Sequence, residues 1–108
     1  MMFDDYAEAV GITAIYPGRS TGSKDALAYT ALGLVGEGGE YSEKVKKYLR
    51  DGVFDPVAAA RELGDVLWYL TAAAHEIGFT LDTVAQMNIN KLKDRKARGV
   101  LKGNGDDR

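Results

Sequence analysis

Apolar residues recur at three- and four-residue steps through three long stretches of this chain, and that period constrains its fold more than any other feature. From Ala26 to Leu49 the series is Leu27, Ala31, Leu34, Gly38, Tyr41, Val45 and Tyr48. From Val57 to Ile77 it is Ala59, Leu63, Val66, Leu70, Ala73 and Ile77, and from Leu81 to Arg98 it is Leu81, Val84, Ala85, Ile89 and Leu92. Strand-type alternation is nowhere sustained. The expected fold is all-α: an antiparallel helical bundle of three long helices, with a short N-terminal helix near Phe3 to Ile12. The breaks carry their own chemistry. Tyr16 to Asp25 is a polar, Gly-containing loop, and Arg50 to Pro56 is a turn with Asp55 as N-cap and Pro56 at the first helical position. Gly78 fits a helix C-cap and Thr80 the next N-cap, while residues 99–108 form an aperiodic tail. With 108 residues and no repeat or linker, residues 1–108 are expected to form one domain.

Composition narrows the chemistry. Fourteen Lys and Arg against 16 Asp and Glu give a net charge of −2, too acidic for non-specific binding to nucleic acid. Cysteine is absent and His75 is the one histidine, which excludes disulfides, thiolate sites and His-rich metal centres. The N-terminus is acidic and lacks an apolar core, so no signal peptide is expected. No apolar run approaches the roughly 20 residues of a membrane span. The expectation is a cytoplasmic protein with no membrane partner.

The first long helix contains Gly33, Gly36, Gly38 and Gly39. Each costs about 1 kcal/mol relative to Ala in a helix interior, so close helix contact or space for a ligand should compensate. The same stretch carries Glu37, Glu40 and Glu43 at steps of three, and the next helix carries Glu62 and Asp65. A step of three puts both members of a pair on one face. The apolar stripe lies roughly 110° from the midpoint of Glu37 and Glu40, and a similar angle from that of Glu62 and Asp65. Antiparallel packing therefore allows four carboxylates to converge at the rim of the core. Crowded acids raise one another's pKa or recruit a cation, and all-oxygen ligands suit Mg²⁺ or Mn²⁺. The bland reading is solvated helix charge, with pairs such as Glu40–Lys44 and Glu43–Lys47. A di-iron bundle is excluded, because it needs Glu-x-x-His pairs and the residue three before His75 is Ala72. His75 itself is expected at the surface.

Asn88, Lys91, Arg95 and Arg98 share one edge of the third long helix. A cationic edge facing a carboxylate–metal centre would suit a polyphosphate, although cations late in a helix also complement its dipole. Trp68 falls nearly opposite its helix's main stripe, with Val57 nearby, and is expected to bury in a subunit interface. Tyr69, four after Asp65, lies on the carboxylate edge and is a candidate for backing the acids and touching substrate. No GxxxxGK[ST] loop exists, and a single outward His makes a Ser-His-Asp site implausible.

Taken in order, GLVGEGGEYSEKVKK, ELGDVLWYL and NINKLKDRKARG resemble the MazG-like nucleoside triphosphate pyrophosphohydrolases of the all-α NTP pyrophosphatase superfamily, over about Tyr16 to Arg108. The family's E-x-x-E and E-x-x-D metal signature falls on Glu37, Glu40, Glu62 and Asp65, and its N-x-x-K-L-x-x-R element on Asn88, Lys91 and Arg95. The resemblance implies Mg²⁺-dependent hydrolysis of a nucleoside triphosphate between the α and β phosphates, in nucleotide-pool house-cleaning or control of pool size. It implies a homodimer or homotetramer, with Lys91 and Arg95 stabilising the leaving pyrophosphate. One carboxylate would act as base, with Glu40 the candidate, an assignment that spacing leaves open. A non-catalytic nucleotide- and metal-binding regulator and a helical interaction module use the same periodicities.

Overall fold

The computed structural model describes all residues from Met1 to Arg108 and contains four α-helices and no strand. They are α1 (Phe3–Thr13), α2 (Lys24–Asp51), α3 (Pro56–Glu76) and α4 (Leu81–Ala97). Local chemistry sets the boundaries. Ser23 Oγ accepts from Ala26 N–H at 3.2 Å to start α2, and Gly52 at φ 77° closes it. Asp55 Oδ1 accepts from Val57 and Ala58 N–H at 3.0 and 3.1 Å, with Pro56 at the first position of α3. Gly78 at φ 84° makes the break, and Thr80 Oγ1 accepts from Thr83 N–H at 3.1 Å to start α4. Helix α2 runs two residues past each expected end, because the caps at Ser23 and Gly52 outreach the apolar series.

The long pair α2 and α3 fold back on each other as a hairpin, and α4 packs against α1 and α3 but not against α2. Gly33 shows why the hairpin is tight: a Cβ there would overlap the Tyr69 ring. Gly36, Gly38 and Gly39 face open space instead, so close contact explains only the first of the four.

The packed core is made of small residues and aromatics. Ala14, Tyr16, Ala26 and Ala72 form its centre, with Trp68 half-buried against them. Trp68 Nε1 donates to Thr13 Oγ1 at 2.8 Å, tying α3 to the end of α1. This departs from the expected assignment of faces, although Ala59 of the expected stripe is buried and Val66 and Ala73 are half-buried. Trp68 lies on the side that closes within the chain, while Leu63, Leu70 and Ile77 of the supposed core stripe remain 48%, 37% and 58% exposed. Side-chain size contributes: the small residues Ala59, Thr71, Ala72 and Ala74 of α3 are buried where helices approach, while Leu63 and Leu70 stay partly exposed. The radius of gyration is 16.4 Å, against about 13 Å for a compact chain near this length. No helix is long and apolar enough to cross a membrane.

A candidate carboxylate and aromatic site

Three of the expected acids meet across the α2–α3 hairpin. One carboxylate oxygen each from Glu37, Glu62 and Asp65 can be chosen so that all lie within 4.8 Å of one another. Helix α2 contributes Glu37, and α3 contributes Glu62 and Asp65 one turn apart. Glu40, the fourth, is exposed and lies outside this group, although its charge still reaches Glu37. Desolvation by the hairpin pushes the Glu37 carboxyl above the ordinary carboxylate range, and repulsion from Asp65, Glu62 and Glu40 adds to it. Lys44 partly offsets the crowding, since its Nζ lies 3.7 Å from Glu62 Oε1 across the helices. The expected pairs within α2 are therefore redistributed: Lys44 faces Glu62, and Glu43 meets Lys46 at 3.0 Å. Three oxygens at this spacing, with one acid resisting ionisation, fit a hard divalent cation.

Aromatic rings line the space beside these acids. A pocket of about 370 Å³ is walled by Tyr16, Tyr29, Trp68 and Tyr69, with Glu37 and Asp65 also on its lining. Tyr16 stacks on Tyr29 at 5.3 Å between centroids, and Trp68 meets Tyr69 edge-on at 4.9 Å. Burial raises the Tyr69 hydroxyl pKa, and the Tyr29 hydroxyl and the Glu37 and Asp65 charges reinforce the shift. Tyr69 thus sits on the carboxylate edge, as its spacing from Asp65 requires.

The cations of α4 stand elsewhere in this chain. Lys91 Nζ lies 3.3 Å from Asp106 Oδ1, and Arg95 donates to the Asp106 carbonyl at 2.7 Å. Arg95 is only 4% exposed, and its Nε–H has no partner. Arg98 pairs with Asp94 at 2.8 Å. Asn88 and Lys91 line a separate groove with Ile77, Phe79, Val84 and Met87, so the cationic edge and the acids do not share a pocket. The cause is the path of α4, which packs against α1 and α3 and not against α2, the helix that carries Glu37.

Two contributors escaped the sequence reading. Tyr29 precedes the acidic stretch by two turns, and its role depends on Tyr16 arriving from the loop. Glu76 is buried, although an acid in the last turn of a helix opposes the dipole, and that mismatch was the available signal. His75 is exposed as expected and contacts Ser20 Oγ at 2.8 Å.

Comparison with known proteins agrees in one direction. A family model described as the MazG nucleotide pyrophosphohydrolase domain matches residues 26–100. The Gene 37 protein of Mycobacterium phage L5 is 48% identical over 116 aligned positions, covering 100% of both chains, and its name states no activity. No solved structure matches.

Proposed function

Because this chain belongs to the MazG nucleotide pyrophosphohydrolase family, we propose that it hydrolyses nucleoside triphosphates between the α and β phosphates, with Mg²⁺ as cofactor and Mn²⁺ as a substitute. Water enters, and the monophosphate and pyrophosphate leave. The observation that carries the proposal is the carboxylate group of Glu37, Glu62 and Asp65 opening onto an aromatic pocket. Acids that crowd without enough cations suit a divalent ion, and flat rings beside them suit a nucleobase.

In this reading Glu37, Glu62 and Asp65 hold the cation, and Glu40 reaches in from the next turn of α2. When bound, the cation supplies Lewis-acid polarisation of phosphate oxygens and lowers the pKa of the attacking water. Glu40, exposed one turn along α2 from Glu37, would be the base that takes the attacking water's proton. Tyr69 orients the acids and borders the substrate, while Asn88 and Lys91 bind phosphate oxygens; Arg95, buried against Asp106, joins them only once the tail moves aside. The α4 cations meet the acids when a second copy brings its α4 edge to the hairpin, which makes the working unit a homodimer or homotetramer. The uncovered Leu63, Leu70 and Ile77 face supports that assembly. The proposed setting is the cytoplasm, and the role is house-cleaning of nucleotide pools.

Incubation of the purified chain with canonical and modified NTPs and dNTPs, with Mg²⁺ or with chelator, tests the chemistry. Monophosphate and pyrophosphate in equal amounts, lost with chelator, are expected. Tight binding without product would point instead to a nucleotide-binding regulator, and neither binding nor product to a helical interaction module. Light scattering should give a dimer or tetramer, and a monomer at tens of micromolar would sink the assembly.

A further inference from the structure

A third carboxylate on α3 lies about three helical turns beyond Asp65, outside the acidic group. Glu76 is 6% exposed, and three donors from the loop before α2 converge on it. Tyr16 Oη donates to Oε2, Ser20 N–H to the same oxygen at 2.8 Å, and Gly22 N–H to Oε1 at 3.0 Å. The loop is bent to deliver them. Ser20 holds φ at 65°, a left-handed conformation unfavourable for a non-glycine residue, and Gly22 holds 63°. A Cβ at Gly22 would come within 3.1 Å of the Glu76 carbonyl oxygen, so the loop lies directly on the end of α3.

We propose that Glu76 is a positioning residue for nucleotide recognition: its carboxylate clamps loop 16–22 and, through Tyr16, fixes the aromatic wall beside Glu37 and Asp65. Tyr16 is the link, with its hydroxyl on Glu76 and its ring stacked on Tyr29 and edge-on to Trp68 at 6.3 Å. The proposal rests on the nucleotide reading of that pocket. The site demands a carboxylate, because only an acceptor at both oxygens satisfies donors on each. A glutamine in either orientation turns its NH₂ group toward a main-chain N–H of Ser20 or Gly22. An unsatisfied buried donor releases the loop locally while the helices persist.

Glu76→Gln in the full chain tests the clamp with two readouts. Trp68 is the single tryptophan and packs against Tyr16, so acrylamide quenching of its emission reports the pocket without nucleotide. Quenching should rise about twofold with helical circular dichroism retained, as expected for local rather than global opening. For the dNTP turned over fastest by the unaltered chain, KM should rise roughly tenfold and kcat stay within about threefold, with Mn²⁺ affinity of the free protein unchanged. Unchanged quenching and KM in a folded variant would overturn the clamp. A fall in kcat with KM untouched would do the same. Tyr16→Phe removes one donor and keeps the ring, so a smaller shift of the same sign is expected, and the double variant should be no worse than Glu76→Gln alone. If Glu76→Gln does not fold, Tyr16→Phe decides: no change in quenching or KM rejects the proposal. Absence of turnover by the unaltered chain would defeat the hydrolysis reading, and the quenching comparison would still decide the clamp.

Discussion

The middle and the C-terminal end of α3 use carboxylates in opposite ways. Near its middle, Glu62 and Asp65 face Glu37 with Lys44 as the one cation close by, and Glu37 resists ionisation. At its C-terminus, burial pushes Glu76 up, but hydrogen bonds from Tyr16, Ser20 and Gly22 outweigh burial and hold its pKa below the ordinary range. One site has more negative charge than it can satisfy, and the other has donors for both oxygens. The contrast teaches which acid awaits a ligand and which belongs to the architecture. Charge count alone does not separate them, whereas hydrogen-bond satisfaction does.

The hardest test of the contrast is Asp65→Asn. Turnover should fall roughly hundredfold or more, because one of the carboxylates that would hold the cation loses its charge. Melting of the apo protein should hold or rise, since one crowded carboxylate has been neutralised. Near-normal pyrophosphate release from both Asp65→Asn and Glu40→Gln would end the metal-site reading. At the other site the stability change should have the opposite sign. Glu76→Gln should cost about 2 kcal/mol, on the order of 10 °C in Tm for a domain this size. Calorimetry showing equal Tm shifts at both sites would erase the distinction.

A smaller effect concerns Lys91, which meets Asp106 in this chain rather than the acids. If it binds phosphate in the assembled protein, Lys91→Ala should lower kcat/KM about tenfold and leave free-enzyme metal affinity nearly intact. Unchanged kinetics with a Tm slightly reduced would assign this cation to its helix and tail.

The gentlest probe is pH. Between its ordinary and its raised pKa, Glu37 carries a proton in the folded chain and not in the unfolded one. Its contribution to apo stability therefore grows as pH falls through that window and is lost as pH rises. Glu76, with its pKa lowered on folding, contributes fully above its unfolded value and loses that contribution as pH falls. The Tm difference between the unaltered chain and Glu37→Gln should narrow on mild acidification without metal. Mn²⁺ should stabilise the unaltered chain more as pH rises, because its ligands must be ionised. A difference independent of pH would refute the assigned shift.

Sequence alone determined the helices, because period and caps act within a few residues. Asp55, Pro56, Gly78 and Thr80 do in the structure what their side chains or backbones favour locally. It also determined that Glu62 and Asp65 share a face, since a step of three fixes the angle about one axis. Tertiary structure decided the rest. Which residues of α3 are covered depended on what the other elements bring against them, so Trp68 is half-buried on the core while Leu63 stays exposed. Whether Glu40 joined Glu37, and whether α4 faced the acids, depended on where each helix lay relative to its neighbours. The partnership of Tyr16 with Glu76 spans 60 positions and is carried by a loop, where no period exists to announce it. Angles about a single helix are local quantities, whereas the offset between two helices is set only when their side chains meet.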